Sequence, residues 1–380
     1  MGAAPAGVSR AEGADERAAP RWREGVLAAL AGWVLARVCV TAGHLLAHGM
    51  LDVLDTPRGD QHLREGLVTW DGTWYRVLAE QWYGSVDGSS RFFPVYPGLG
   101  RVLAPLVGGR EDVALVVVNN LAALAGAVLL WRLVVEALGD RPCARRAAWM
   151  VAVFPSAFSL VFAYSEGLAL VAVCGVLLAL QRRSFVAAGA IGAFAAMVRP
   201  VGGLVVVAIA VELLRQRPRP RPVEVVVGLV GPVLGLVAAM AWIAASTGDW
   251  WEPVRIQQEI RGGFQDPLTR VLEPVGEALK GDFRDVYNLG FMALLVGLAV
   301  VAVRRRQPLS WLAYAGASLV VLLSAQVTDS LGRYGLVVVP FVVALAQWAE
   351  RRWQQVAVGV LSCAGLVWLT SEAWLGRLVP

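Results

Sequence analysis

The segment 112–138 reads DVALVVVNNLAALAGAVLLWRLVVEAL and is almost continuously apolar. A helix needs about 20 mostly apolar residues to cross the hydrocarbon core of a bilayer, so this segment predicts a transmembrane helix. The whole chain is 57% hydrophobic and 17% charged, whereas soluble domains carry about 25% charged residues. This composition excludes a set of soluble domains and predicts one membrane-embedded unit.

Similar apolar runs recur along the chain and predict an all-α, polytopic bundle of about eleven spans. The predicted spans are 25–48, 112–138, 147–165, 167–181, 185–198, 200–214, 222–246, 287–303, 308–326, 333–348 and 353–374. Residues 1–24 are rich in Ala, Gly and charge and lack the apolar core of a signal peptide. We therefore expect a disordered cytoplasmic tail over 1–24 and a transmembrane domain over 25–380.

Arginine clusters orient the predicted spans, because Lys and Arg in short loops stay in the cytoplasm. The clusters occupy every second connection, at Arg21 and Arg23, Arg141 to Arg146, Arg182 and Arg183, Arg215 to Arg221, Arg304 to Arg306, and Arg351 and Arg352. The N-terminus is thus predicted to be cytoplasmic, with long outer loops at 49–111 and 247–286. The apolar stretch 92–107 would invert every downstream cluster if it crossed, so it is predicted to be an interfacial or re-entrant helix.

The remaining composition argues against several partners. The net charge is +5, but the basic residues are scattered between apolar runs, which is a topological pattern and not a nucleic-acid-binding patch. The four cysteines lie within or beside apolar runs, without metal-ligand spacing. His44 and His48 lie one helical turn apart but have no third ligand nearby in the sequence. We therefore expect neither a metal site nor a disulfide.

The first outer loop contains the motif WDGTWY at residues 70–75. Trp70, Trp74, Leu78 and Trp82 recur every four residues, which predicts one face of a helix lying flat at the membrane interface. Asp71 then lies at the helix start and at headgroup depth. Two interpretations stay open: Asp71 is the N-cap of the helix, or its carboxylate accepts a proton during catalysis.

Further polar residues cluster at the predicted outer ends of later spans. They include Tyr164-Ser165-Glu166, Arg199 and Arg333-Tyr334. Charges at such depths are costly and often mark a functional cavity. Arg199 and Arg333 run against the positive-inside trend, and a guanidinium matches the geometry of phosphate; the alternative is that both side chains snorkel to the interface. Asn119 and Asn120 are interpreted as hydrogen bonding between helices.

The order of motifs resembles that of the PIG-V-like GPI mannosyltransferases and their bacterial relatives, within the multi-span glycosyltransferases of C-type fold. The motifs are, in order, WDGTWY, RFFPVYP, VVNNLAALAG, FPSAFSLVFAYSEGLAL, AAMVRPVGG and GRYGLVVVPF. The likeness extends over about residues 25–350. It implies a C-type glycosyltransferase fold for this chain.

The resemblance also implies an inverting transferase that moves a hexose, commonly mannose, from a polyprenyl phosphate carrier without a cofactor or nucleotide site. Asp71 occupies the place of the family's presumed general base, with Glu166 as a second acidic residue. The family's Tyr-Thr-Glu sequence at the end of the third span is replaced here by Tyr164-Ser165-Glu166, which keeps a hydroxyl and the carboxylate. The expected substrate-binding residues are Trp70, Trp74, Tyr75, Tyr164, Arg199, Arg333 and Tyr334.

The acceptor follows less directly from the resemblance. GPI anchors are eukaryotic, whereas the Ala, Arg, Val and Gly bias resembles a high-GC bacterium. We therefore expect a bacterial plasma membrane, surrounded by membrane lipids, with the active site on the outer face and a lipid, glycan or protein acceptor other than GPI.

Two other functions remain open. A transporter or flippase of a lipid-linked saccharide would place ionisable residues at the bilayer midplane between broken helices. Few charged residues fall inside the predicted spans, namely Arg37, Arg132 and Glu212, and the polar motifs collect on one face, which favours an enzyme. A catalytically silent assembly protein with the same fold is the third possibility.

The predicted orientation can be tested by labelling in intact cells. A single Cys introduced between residues 49 and 91, or between 247 and 286, should react with a membrane-impermeant thiol reagent, because both loops are predicted to lie outside. Arg217→Cys and Arg305→Cys should stay unlabelled until the cells are permeabilised. The opposite labelling pattern would contradict an outer-face site.

Overall fold

The computed structural model describes residues 22–54, 56, 58–84, 86–262, 283–324 and 330–378. Over these residues the regular structure is helical. Within these described ranges, five helices are long and apolar enough to cross a membrane, or six spans result if one bent pair counts as a single span. The chain is therefore an integral membrane protein, and the count of eleven spans stays a prediction.

The helices are α1 (Trp22–Met50), α2 (Gly59–Glu65), α3 (Asp71–Gln81), α4 (Val95–Leu103), α5 (Glu111–Leu138), α6 (Arg141–Val153), α7 (Glu166–Gln181), α8 (Phe185–Val198), α9 (Val205–Arg215), α10 (Pro222–Thr247), α11 (Glu252–Arg261), α12 (Phe283–Arg304), α13 (Leu309–Leu323), α14 (Leu331–Val337), α15 (Val339–Trp348) and α16 (Arg352–Trp374). The long apolar ones are α1, α5, α10, α12 and α16. Because α1 begins at Trp22, residues 22–24 are helical and not part of a tail. The rest of the predicted tail, 1–21, lies outside the described residues.

Several helices approach one another closely through small residues, which is how helices associate in lipid. The clearest case is α8 against α10. A Cβ on Gly189 would lie 2.1 Å from Val227 O, and one on Gly235 would lie 2.1 Å from Ala193 O. Only glycine permits this backbone contact. The helix α7 packs similarly against α5, while α1 packs against α6 and α16.

Three predicted spans differ from the structure because proline interrupts them. The segment 147–165 ends its helix at Val153, before Pro155, and continues as a buried turn. The segment 200–214 begins as a 3₁₀ turn at Pro200 before α9 starts. The segment 333–348 consists of α14 and α15, which meet at 84°. Proline lacks an amide donor and restricts the residue before it, so each helix ends or bends there.

The two asparagines of α5 form hydrogen bonds to the backbone of the first interrupted segment, which follows Val153. Asn119 donates from Nδ2 to Ser159 O at 2.8 Å and to Phe162 O at 2.7 Å, and its Oδ1 accepts from Gly167 N at 2.7 Å. Asn120 donates to Val161 O at 2.8 Å. The predicted role of both residues in hydrogen bonding between helices is confirmed. They satisfy backbone groups that the missing helical turns would otherwise leave unpaired.

Arginine clusters meet carboxylates at one end of the bundle. Arg182 pairs with Glu136 at 2.7 Å, and Arg305 pairs with Glu350 at 2.6 Å. Glu166 and Arg182 lie at opposite ends of α7, whose 16 residues span about 24 Å. The basic connections at Arg182 therefore lie far from Glu166. Which end faces the cytoplasm stays a prediction.

The two predicted outer loops contain short helices where the structure describes them. The first contains α2, α3 and α4, and α4 continues as a 3₁₀ turn to Val107. This Val95–Val107 helix is too short to count among the spans. The second loop contains α11, and its residues 263–282 lie outside the described part of the chain.

Gly167 offers a test of the packing between α5 and α7. A Cβ at this position would lie 2.4 Å from Asn119 O and 2.6 Å from Asn119 Oδ1. We expect Gly167→Ala to destabilise the protein by about 1–3 kcal/mol, because overpacking at a fixed backbone forces a shift. The measurement is the thermal unfolding midpoint in detergent. Gly297→Ala is the matched control, since a Cβ there meets nothing within 4 Å, and equal midpoints for both variants would contradict this account.

Candidate functional site

Asp71 is the first residue of α3, and its carboxylate bonds to a residue of another helix. The N-cap position belongs to Trp70, which makes no side-chain capping hydrogen bond. Asp71 Oδ2 instead accepts a hydrogen bond from Arg333 Nη1 at 2.5 Å, across 262 residues of sequence. The interpretation of Asp71 as an N-cap is therefore wrong, because a charged donor from another helix holds its carboxylate.

The predicted stripe of Trp70, Trp74, Leu78 and Trp82 is only partly right. Trp70 and Trp82 lie just outside α3, where both have positive φ angles, 58° and 69°. The face of α3 that packs on the bundle carries Tyr75 and Leu78. Positive φ turns the chain away from the helical path, so a spacing of four no longer places these tryptophans on one face.

Glu166 joins both arginines in a buried ion-pair cluster. It is the first residue of α7, where the helix dipole favours a negative charge. Arg199 donates from Nη1 to Glu166 Oε1, and Arg333 Nε lies 3.2 Å from the same oxygen. The other oxygen, Oε2, is buried and has no hydrogen-bond partner among the described residues. One acceptor position of Glu166 is thus buried and not satisfied by the described residues.

Both arginines are almost completely buried, at 8% exposure for Arg199 and 3% for Arg333. Tyrosine rings line them, with Tyr334 4.6 Å from Arg199 and Tyr164 4.9 Å from Arg333. Such contacts favour a desolvated cation over the face of an aromatic ring. The snorkelling interpretation is wrong, because the guanidinium groups point to carboxylates inside the protein and not to the interface.

The four charges differ in their access to solvent. Asp71 is the most open, at 24% side-chain exposure, whereas the Glu166 side chain is 1% exposed. Burial opposes the ionisation of Asp71, whereas Arg333 favours it by charge and by its hydrogen bond. Arg91 and Arg199 add further attraction. The balance lowers the pKa of Asp71 below its ordinary value, so this carboxylate is ionised at neutral pH.

Tyr75 and Tyr164, which were named from the sequence, are buried next to the charged residues. The hydroxyl of Tyr75 lies 3.0 Å from Ser165 Oγ, next to Glu166 in the chain. Tyr75 and Tyr164 are 5% and 0% exposed. Trp74 lies nearer the surface, with its ring 6.0 Å from that of Phe92. The structure therefore gathers most of the residues named from the sequence around one cluster, with Tyr75 and Tyr164 in supporting positions. Trp70 is the exception, because its indole donates to Ala373 O at 2.7 Å and stacks on His62.

Two residues near the cluster escaped the sequence-based interpretation. Arg91 lies with its guanidinium 5.0 Å from the ring of Trp74 and attracts Asp71 electrostatically. Ser330 accepts from Arg333 Nη2 at 3.3 Å. Arg91 is the first residue of the RFFPVYP motif, so the motif itself marked this residue. Its placement near Asp71 depends on how the segment between α3 and α4 folds back. Ser330 has no distinguishing pattern around it.

An apolar groove of about 680 Å³ lies between α4 and α10. Its lining includes Trp82, Pro94, Val95, Leu99, Met197 and Trp242. Pro94 follows Arg91 by three residues, and Met197 precedes Arg199 by two. The groove therefore adjoins segments that carry two of the arginines. Its chemistry suits a hydrocarbon chain, since its walls offer carbon atoms almost throughout.

The described residues include no group of three or more His, Cys, Asp or Glu side chains that could hold a metal ion. His44 and His48 contact each other edge to face, with ring centres 5.6 Å apart. The cluster itself consists of ion pairs and cation–aromatic contacts.

No protein-family model matches the chain, and no curated protein sequence does. Among solved structures, ArnT from Cupriavidus metallidurans bound to undecaprenyl phosphate is similar, with a TM-score of 0.50 and 13% identity over 80% of this chain and 71% of that chain. The Archaeoglobus fulgidus oligosaccharyltransferase in complex with Zn and sulfate has a TM-score of 0.42 and 14% identity, over 80% of this chain and 48% of that chain. Its apo form has a TM-score of 0.42 and 13% identity, over 90% and 56%.

This chain thus spans about half the length of the archaeal oligosaccharyltransferase. Its likeness to ArnT shows the fold, and this is the C-type glycosyltransferase fold that the motifs implied. The narrower PIG-V-like resemblance stays a prediction.

Proposed function

We propose that this chain is a membrane glycosyltransferase that moves a hexose, mannose by the resemblance of its motifs, from a polyprenyl phosphate carrier to an acceptor hydroxyl with inversion. The observation that carries the proposal is the cluster of Asp71, Arg333, Glu166 and Arg199. It combines a partly open carboxylate with two buried guanidinium groups. These are the groups that such a transfer needs.

In the proposed reaction the acceptor hydroxyl oxygen attacks the anomeric carbon and the bond from that carbon to the phosphate oxygen breaks. The hydroxyl proton passes to Asp71, and the polyprenyl phosphate leaves with the bonding electrons. Asp71 is suited to the role of base because it is ionised and is the most exposed of the four groups. In the proposal Glu166, which is 1% exposed, acts by holding Arg199 and Arg333 in place.

The arginines would hold the carrier phosphate and so change the state of Asp71. Within the cluster two positive charges balance two negative ones, and Arg333 is shared between Asp71 and Glu166. An incoming phosphate competes with both carboxylates for the guanidinium groups. Asp71 is then held less strongly by Arg333, which raises its basicity at the moment when the donor is present.

The apolar groove offers a place for the polyprenyl tail. It is large, almost wholly apolar and adjacent to the segments of Arg91 and Arg199. The fold likeness to ArnT, a protein solved with undecaprenyl phosphate, supports a lipid-linked donor. We propose that the sugar contacts the aromatic rings of Trp74 and Tyr334, which are both half-buried.

The proposal places the active site on the outer face of a bacterial plasma membrane, with a lipid, glycan or protein as acceptor. This placement follows the arginine pattern of the loops and the residue bias of the chain. A flippase for a lipid-linked saccharide is the competing function. Purified protein in detergent micelles separates the two, because transfer of sugar needs no second compartment whereas flipping does.

Asp71→Asn tests the base directly. Asn keeps the size and can still accept a hydrogen bond from Arg333, but it cannot take a proton. We expect transfer from a polyprenyl phosphate sugar to fall by about a hundred- to ten-thousand-fold, the usual contribution of a positioned base. The measurement is the initial rate of transfer by purified wild type and variant at equal amounts of folded protein.

Asp60→Asn is the matched control for this experiment. Asp60 lies in the same outer loop, is 61% exposed and pairs only with Arg64 in the contacts described. Its rate should equal that of the wild type. A fully active Asp71→Asn variant would remove Asp71 from the mechanism, and transfer by neither wild type nor control would refute the transferase.

Arg199→Lys tests the phosphate contact. Lysine keeps the charge but loses the flat, paired donors that match phosphate. We expect a higher KM for the lipid donor, about tenfold, with the thermal unfolding midpoint little changed, and a larger effect for Arg199→Ala. Arg64→Lys is the control, since Arg64 is 73% exposed. Equal donor kinetics for the Arg, Lys and Ala forms would show that Arg199 makes no phosphate contact.

A further inference from the structure

The outer end of α16 is bonded to the segment that leads into Asp71 by two reciprocal indole contacts. Trp70 donates from Nε1 to Ala373 O at 2.7 Å, and Trp374 donates from Nε1 to Gly66 O at 2.9 Å. We call this pair of bonds the indole clasp. It joins residues 303 and 308 positions apart in the sequence. Each tryptophan thus satisfies a backbone carbonyl of the other's segment.

The clasp holds a backbone conformation that a tryptophan adopts only under constraint. Trp70 has φ 58° and ψ −121°, one residue before Asp71. A positive φ in a bulky residue is a genuine outlier and persists only where surrounding contacts over-determine it. His62 supplies a further contact, with its ring stacked on Trp70 at 4.4 Å and 15°. His62 is fixed in turn by Thr69, whose Oγ1 lies 2.8 Å from Nδ1.

Trp374 also reaches the segment that carries the second carboxylate. Its ring lies 5.0 Å from that of Phe162, four residues before Glu166. The two acid-bearing segments meet beside it, since Ala163 N donates to Leu67 O at 2.8 Å. Trp374 is 2% exposed. One buried indole therefore contacts both chain segments whose ends present Asp71 and Glu166.

We infer that Trp70 and Trp374 are positioning residues: through the indole clasp, α16 sets the place of Asp71 relative to Glu166 and the arginines. The inference rests on the proposed function for its catalytic meaning. No side chain of α16 belongs to the four-charge cluster, so the helix acts only through the backbone it holds. A displacement of about 1 Å at a reacting group can cost about a hundredfold in rate.

Trp374→Phe tests the clasp because phenylalanine keeps the aromatic contact with Phe162 and loses the donor to Gly66 O. The first readout is deuterium exchange of backbone amides in the purified full chain. Amides of residues 66–74 should exchange about fivefold faster, as expected for one lost hydrogen bond, while those of α5 stay unchanged. Trp353→Phe is the control, since Trp353 lies on the same helix and is 60% exposed. Unchanged exchange over 66–74 in Trp374→Phe overturns the inference.

The second readout is the steady-state kinetics of transfer. For Trp374→Phe and Trp70→Phe we expect kcat to fall by about tenfold or more, with the donor KM unchanged, because the arginines that bind the phosphate stay in place. Activity that falls only in proportion to folded protein overturns the positioning role. If the wild type transfers no sugar, the proposed function fails, and the exchange measurement still decides whether the clasp orders the segment before Asp71.

Discussion

The pairing of Asp71 and Glu166 with two buried arginines is the constraint on which the rest of this structure depends. A charge removed from water is costly unless it is paired and hydrogen-bonded. Arg333 is 3% exposed, and its charge is balanced because α3 and α7 both begin beside it, with Asp71 and Glu166 as their first residues. Separating any one of these elements would leave an unpaired charge inside the bundle. The cluster therefore fixes how α3, α7 and α14 lie together.

The broken helices follow from the same requirement. Asp71, Glu166, Arg199 and Arg333 each lie at or near a helix end that the surrounding irregular backbone brings inward. Irregular backbone within a membrane protein survives only where protein groups satisfy it. Asn119 provides this for the turn before Glu166, with three hydrogen bonds from one side chain. The helix interruptions thus place polar side chains inside the bundle.

A balanced cluster also suits an anionic substrate. In the resting state the two carboxylates occupy the arginines and keep them desolvated without net charge. In the proposed reaction a phosphate exchanges with a carboxylate, and the displaced group becomes available as a base. The proposal thus couples binding and activation through shared guanidinium donors. The backbone before Asp71 must be held firmly for this exchange to be productive, which is the role inferred for the indole clasp.

The amino-acid order alone was enough to place this chain in the membrane and to mark Asp71, Glu166, Arg199 and Arg333, because hydropathy and the cost of a charge near an apolar run are local properties. It also identified Asn119 as a contact between helices. The partners of those charges came only from tertiary packing, since Arg333 and Asp71 are 262 residues apart. Local propensity favoured the interpretation of Asp71 as an N-cap. Only the approach of α14 brings Arg333 to its carboxylate. The placement of Arg91 near Asp71 depended likewise on how distant segments fold onto one another. The proline breaks, by contrast, follow from a local property of the sequence.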